Sequence, residues 1–184
     1  MSQIKTPKQL FMHELQDIYY AEKVLAGALP KLADEASDAE LSRAFKSHQK
    51  ETEKHVANLE KVFKGLGEKA KAEPCPGIDG IKKEHDDFMK ENELTEETRD
   101  AFLTGAGART EHYEIAAYTG LVAQARALGE RDAVDLLQQN LKQEKEALKK
   151  IETISKRLLK ESKESNGSSS RSGTRARATA GASK

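Results

Sequence analysis

The sequence predicts an all-α protein, a four-helix bundle with one long crossover connection. Charged residues make up 34% of the 184 residues and aromatic residues only 5%, a composition typical of long amphipathic helices. Apolar side chains recur three and four residues apart along four long segments, which is the period of a helix face. The segments are joined by a short, a long and a short connection, as expected for a bundle with one crossover.

The first helix is predicted to begin after Thr6, because Thr6-Pro7-Lys8-Gln9 has the pattern of a capping box with proline at the first helical position. A single carboxylate, Glu22, interrupts its apolar face. Pro30 should kink or loosen the last turn, so this helix is expected to end near Ala33.

The second helix is predicted to start at the capping box Ser37-Asp38-Ala39-Glu40 and to end at Gly67. Its core-facing positions are apolar at both ends and polar in the middle. The polar members are His48, Glu51 and His55. The short connection before it predicts an antiparallel hairpin with the first helix.

Residues 68–97 are too long for a hairpin loop and predict a crossover that contains a short helix from Ile78 to Met89. Cys75 lies between two prolines and is predicted to be an exposed thiol without a role. The third helix is predicted from Glu96 to Leu128 and the fourth from Asp132 onward. Glu144 is the single carboxylate on the apolar face of the fourth helix.

The bundle domain is predicted to span residues 1–161. Residues 162–184 are rich in Ser, Gly, Ala and Arg and contain no large apolar side chain, which predicts a disordered basic tail. A solvated tail is favoured over a nucleic-acid-binding arm, because no aromatic side chain interleaves with its basic residues to stack on bases.

Bulk properties disfavour several classes of protein. The formal net charge is +0, which argues against a generic polyanion or membrane partner. One cysteine excludes an intramolecular disulfide and fits a reducing compartment. No secretory signal is visible, and no apolar segment approaches the roughly 18 residues of a membrane span. A soluble, cytoplasmic protein is therefore expected.

Carboxylates from different helices are predicted to meet at one level of the bundle. Glu111 and Glu114 are three residues apart and share one face of the third helix. Glu114 and Glu144 each lie 15 residues from Gly129, or roughly 22 Å along each helix at about 1.5 Å per residue. Glu22 lies as far from the first turn as the carboxylate of the second helix, so all four helices contribute at mid-length.

Several buried carboxylates at one level repel one another unless cations or protons neutralise them. The sequence therefore predicts a dinuclear metal site. Oxygen-rich ligation favours iron, with manganese or a mixed pair as alternatives. The predicted ligands are Glu22, Glu51, His55, Glu111, Glu114 and Glu144.

Each residue also has a purely structural interpretation. A single mid-helix glutamate is more often solvated or paired, here with Arg109 or a lysine, and His48 is more often a hydrogen-bonded core residue than a ligand. The four tyrosines are expected in the core, where one could contact a carboxylate. The fourth helix lacks a histidine near Glu144 and has Leu148 one turn further on, which leaves one ligand position unfilled.

Four segments resemble the YciE/YciF family of ferritin-like stress proteins in order and spacing over about residues 5–160. They are Leu-Gln-Asp-Ile-Tyr-Tyr-Ala-Glu (15–22), Ala-Leu-Pro-Lys-Leu-Ala (28–33), Glu-His-Tyr-Glu-Ile-Ala-Ala-Tyr (111–118) and Leu-Leu-Gln-Gln-Asn-Leu-Lys-Gln-Glu-Lys (136–145). The resemblance implies an up-down-down-up bundle, induction under stress in bacteria and a rubrerythrin-like dimetal site. It also implies that Glu111 and Glu114 form the Glu-x-x-Glu motif of the third helix.

The function predicted from the residues and the resemblance together is a cytoplasmic di-iron ferroxidase that oxidises Fe²⁺ with O₂ or H₂O₂, expected as a homodimer. Glu22 and Glu144 are predicted as terminal ligands, with His55 as the terminal nitrogen. Glu51 and either Glu111 or Glu114 are predicted to bridge the metals. The alternative is a non-catalytic stress protein with a vestigial site, associated with nucleic acid through its tail. A manganese catalase is disfavoured, because a second Glu-His motif is missing.

Overall fold

Five helices make up the computed structural model, which describes the backbone of residues 4–175 and the side chains of residues 4–163. They are α1 (Pro7–Glu35), α2 (Ala39–Gly65), α3 (Pro76–Glu91), α4 (Glu96–Leu128) and α5 (Arg131–Arg175). No strand occurs within residues 4–175. No helix of the described part of the chain is long and apolar enough to cross a membrane.

The four long helices form a ring in which α1 packs on α2 and α4, while α5 packs on α4 and α2. The start of α4 lies at the turn between α1 and α2, because Asp100 accepts hydrogen bonds from the backbone N–H groups of Ser37 (2.8 Å) and Asp38 (2.7 Å). Helices α2 and α4 therefore run in the same direction, and the order is up-down-down-up. The crossover helix α3 packs against α4 and α1.

Three predicted helix ends, the start of α1 and both ends of α4, are confirmed. Thr6 and Gln9 form the capping box of α1, and Gly129 ends α4 with φ 77°, a backbone conformation that glycine adopts without steric cost. Helix α1 continues through Pro30 to Glu35, two residues beyond the predicted end, because proline removes one hydrogen bond without requiring the last turn to unwind.

The N-cap of α2 is Asp38, and the prediction of Ser37 was wrong. Asp38 accepts from the N–H groups of Glu40 (3.0 Å) and Leu41 (2.9 Å). The backbone N–H of Ser37 is instead held by Asp100. The turn is thus held by an aspartate of its own and an aspartate of α4, which ties the start of α4 to the connection between α1 and α2.

The backbone of α5 remains helical to Arg175, whereas disorder was predicted from Ser162. Residues 162–175 contain no proline, and their only helix-breaking residues are Gly167 and Gly173, each of which costs about 1 kcal/mol relative to alanine. The proposed domain boundary at residue 161 therefore does not coincide with a helix end. The rest of the predicted tail, residues 176–184, lies outside the described residues.

Two apolar clusters form the core, one on each side of a polar layer. The cluster nearer the start of α1 contains Phe11, Leu15, Phe63 and Leu121, and the cluster at the opposite end contains Leu29, Leu41, Leu103 and Ile154. Between them lie the buried carboxylates and histidines of four helices. The core thus encloses a charged layer at mid-length.

Candidate metal centre

Buried acidic and imidazole side chains form two groups with metal-ligand spacing. One group is His48, Glu111, Glu114 and Glu144, and the other is Glu22, His55 and Glu144; within each group the potential ligand atoms all lie within 4.8 Å of one another. Glu144 belongs to both groups. The geometry is therefore that of two adjoining positions with one shared carboxylate.

The shared carboxylate lies between the two histidines of α2. Glu144 Oε1 is 2.8 Å from His55 Nδ1, and Glu144 Oε2 is 3.6 Å from His48 Nε2. His55 Nδ1 is also 3.3 Å from Glu22 Oε1, and His48 Nε2 is 3.2 Å from Glu111 Oε1. One histidine thus lies in each of the two groups of potential ligands.

Several oxygens of this cluster have no hydrogen-bond partner among the described residues. Among them are Glu22 Oε2, Glu111 Oε2 and both carboxylate oxygens of Glu114. Leaving a buried polar group unsatisfied costs about 1–3 kcal/mol, and more for a charged group. The unpartnered oxygens face the same layer, so the donor set fits a bound cation. Its four ionised carboxylates would balance two divalent ions.

Without a cation, protons would have to carry the positive charge. Burial, followed by the neighbouring carboxylates, raises the pKa of Glu111 and Glu114 well above the usual value, so both tend to stay protonated. Burial also raises the pKa of Glu22. Burial alone would lower the pKa of His55, but Glu144 and Glu22 raise it to about 10. The metal-free cluster therefore stores protons that a cation would displace.

A second layer of hydrogen bonds orients the cluster. Asn58 donates to Asn140 Oδ1 (2.9 Å), and Asn140 Nδ2 in turn donates to the hydroxyl of Tyr118 (2.9 Å). Because that hydroxyl accepts from Asn140, its own proton is directed at Glu22 Oε1. Outer partners of this kind fix the orientation of ligands in metal sites. Gln143 lies 3.0 Å from His55 Nε2 and holds the other side of that ring.

The structure brings together five of the six predicted ligands, namely Glu22, His55, Glu111, Glu114 and Glu144. Glu51 stands apart, with 33% of its side chain exposed and its Oε2 3.5 Å from His48 Nδ1. His48, which the sequence favoured as a core residue over a metal ligand, lies closer to the cluster than Glu51. The heptad spacing to His55 was the available signal, since seven residues return a helix to within about 20° of the same direction.

The structure also locates Leu148 and Arg109, the two other residues that the sequence analysis discussed beside the ligands. Leu148 is half-buried, and the residue that faces the site one turn after Glu144 is Ala147, which lines a cleft beside His48. Both histidines of the two groups therefore come from α2. Arg109 lies 3.5 Å from Glu84, away from the cluster.

Cys75 is fully buried, so the prediction of an exposed thiol was wrong. Its Sγ caps α3 by accepting from the N–H of Ile78 (3.5 Å) and lies 2.9 Å from the hydroxyl of Tyr113. The prolines on either side hold the chain extended into the helix start. That contact with α4 could not be seen from the local sequence.

The fold and the site together define a class: ferritin-like four-helix bundles that carry a buried carboxylate–histidine cluster at mid-length. Residues 6–164 match the family model described as Domain of unknown function (DUF892), and the chain belongs to this family. It is 38% identical to Protein YciF of Escherichia coli over 143 residues, which cover 77% of this chain and 86% of that protein.

Solved structures of relatives have the same fold. The crystal structure of the E. coli stress protein YciF is 35% identical, with a TM-score of 0.81, and the match covers 85% of this chain and 99% of that one. YcfI of Rhodopseudomonas palustris, described as a candidate structural protein, is 42% identical with a TM-score of 0.80 over 82% and 96% of the two chains. A Xanthomonas campestris protein at 20% identity and TM-score 0.68 shares the fold.

Proposed function

We propose that this chain is a stress-response protein that binds two iron ions in the carboxylate–histidine cluster and oxidises Fe²⁺ with O₂ or H₂O₂. The observation that carries the proposal is Glu114, whose two carboxylate oxygens are buried without a hydrogen-bond partner among the described residues. A purely structural role gives no reason to keep a carboxylate there. The likeness to a stress protein of E. coli supports the physiological setting, and we place the protein in the cytoplasm as a homodimer.

The residues have defined tasks in this proposal. Glu22 and His55 would hold one ion, and His48, Glu111 and Glu114 the other. Glu144 would bridge them, because its two oxygens face different histidines. This assignment differs from the sequence-based one, in which Glu144 was terminal and Glu51 bridged.

Bound iron supplies one-electron transfer to dioxygen or peroxide. The surrounding chain controls water and protons. The apolar clusters on both sides of the layer exclude bulk water, which strengthens the attraction of the carboxylates for a cation. Metal uptake releases the protons held by Glu111, Glu114 and His55, while Tyr118 keeps its own proton directed at Glu22.

The test is an anaerobic titration with Fe²⁺ followed by admission of air, with absorbance recorded in the near-ultraviolet and visible range. Wild type should bind about two irons per chain and develop ferric absorbance in a fast phase after air is admitted. Glu114→Met should abolish this fast phase. Glu152→Met, at an exposed position of α5, should not. Equal oxidation rates in Glu114→Met and wild type would refute the proposed site, and no ferric absorbance in any of the three proteins would favour the alternative of a non-catalytic bundle.

A further inference from the structure

A cleft between α2 and α5 opens onto the candidate metal centre. It has a volume of about 90 Å³, and its polar lining comprises three carboxylates, an imidazole, a hydroxyl and one ammonium group, among them His48, Glu51, Glu111, Glu146 and Lys150. Ala147 of α5 belongs to its apolar lining, and the carboxylates outnumber the ammonium group. Since a water molecule takes up roughly 30 Å³ in the liquid, the cleft has room for an ion with a few water molecules. Glu111 lines the cleft, and its Oε2 is buried without a hydrogen-bond partner among the described residues.

Side-chain exposure falls stepwise from the cleft into the cluster. Glu51 is 33% exposed, His48 10%, Glu111 5% and Glu144 0%. His48 contacts the carboxylates on both sides of it, because His48 Nδ1 lies 3.5 Å from Glu51 Oε2 and His48 Nε2 lies 3.2 Å from Glu111 Oε1. The two nitrogens of one imidazole thus join a solvent-accessible carboxylate to a buried one.

We propose that this cleft is the portal through which a hydrated divalent cation reaches the centre, with Glu51 as its transit ligand and His48 as the gate. The inference rests on the proposed function, since it assumes that the centre binds metal. Glu51 binds the ion at the solvent side of the cleft, where the ion can keep part of its hydration shell. The imidazole ring of His48 then either rotates away from Glu51 or transfers the ion to Glu111 through Nε2.

A second cavity provides the comparison. It lies between α1, α3 and α4, has a volume of about 180 Å³, and is lined mainly by apolar side chains such as Val24, Ala28 and Ile81. None of the candidate ligands lines it. The one carboxylate in its lining, Asp86, is already paired with Lys31 and Lys82. A hydrated cation would therefore lose water ligands there without gaining a free carboxylate, so this cavity is not the portal.

Ala147→Leu tests the portal, because Ala147 lines the cleft and is only 9% exposed, and the substitution adds volume there without changing any charge. Uptake of Co²⁺ alone is followed by stopped-flow visible absorbance, and binding at equilibrium by metal analysis. We expect Ala147→Leu to slow uptake by about tenfold or more at unchanged stoichiometry. Ala28→Leu, the matched variant in the apolar cavity, should take up Co²⁺ at the wild-type rate.

A surface variant tests the same route without altering the packing. Glu146→Lys reverses a charge at the mouth, where the side chain is 66% exposed, and should slow uptake at low ionic strength but not at high ionic strength. Glu152→Lys, six residues along the same helix and exposed, is the control. The portal is refuted if Glu152→Lys slows uptake as much as Glu146→Lys, or if Ala147→Leu and Ala28→Leu behave alike.

The outcomes separate the two proposals. Binding of Co²⁺ by wild type with equal uptake rates in all variants would refute the portal and leave the metal centre intact. Absence of Co²⁺ and Fe²⁺ binding by wild type would refute both. Slowed uptake with full final occupancy in Ala147→Leu and Glu146→Lys supports the portal, since a change in the centre itself would alter occupancy.

Discussion

Replacing Glu114 by methionine should have opposite effects on stability with and without metal. The carboxylate is 1% exposed, and neither of its oxygens has a hydrogen-bond partner among the described residues. In the metal-free protein, removing such a group in favour of an apolar one of similar shape should stabilise the fold by about 1–3 kcal/mol. For a chain of this length that corresponds to a rise in Tm of roughly 2–12 °C.

With metal present, Glu114→Met should be less stable than wild type. A ligand at 100 times its dissociation constant stabilises the folded state by about 2.7 kcal/mol per site, and the variant should lose at least one site. The assay is thermal unfolding with a chelator and with excess Mn²⁺ or Co²⁺, and Glu152→Met is the exposed control, expected to stay within about 0.5 kcal/mol. A variant less stable than wild type under both conditions would contradict the interpretation of Glu114 as an unsatisfied ligand.

Three further outcomes are expected. In chelator, the free energy of unfolding should fall by about 2 kcal/mol as the pH rises from about 6.5 to about 8, because folded His55 keeps its proton to about pH 10 whereas the unfolded residue loses it. Thermal melts at the two pH values measure this change, and a stability that rises with pH would contradict the prediction. His48→Ala should weaken equilibrium metal binding more than Glu51→Gln, measured by calorimetry, and the reverse order would restore the sequence-based ligand set. Tyr118→Phe should cost about 1–3 kcal/mol in urea unfolding, because it leaves Asn140 Nδ2 without its hydroxyl partner, and an unchanged midpoint would show that this hydrogen bond is dispensable.

The level of the site was predictable because a helix advances a fixed distance per residue. Counting from Gly129 placed Glu114 and Glu144 at one depth, and both lie in the buried layer. The caps at Thr6 and Gly129 were equally predictable, since each depends on two or three neighbouring residues. These features are set by local geometry.

The direction of individual side chains could not be obtained in the same way. His48 and Glu51 are three residues apart, which separates them by about 60° around the helix, and only packing decides which of them faces the centre. The same holds for Cys75, whose burial depends on the distant Tyr113. Asp38 replaced Ser37 as a cap because Asp100, more than sixty residues away, holds the turn.

Stoichiometry tests the central claim most directly. Metal-free protein is titrated anaerobically with Fe²⁺, and bound iron is measured after removal of the free ion. We expect about two irons per chain for wild type and Glu152→Met, and a loss of at least one for Glu114→Met. The same number of irons in Glu114→Met would show that Glu114 is not a ligand. No bound iron in wild type would show that the buried carboxylates are neutralised by protons and that the bundle is not a dimetal protein.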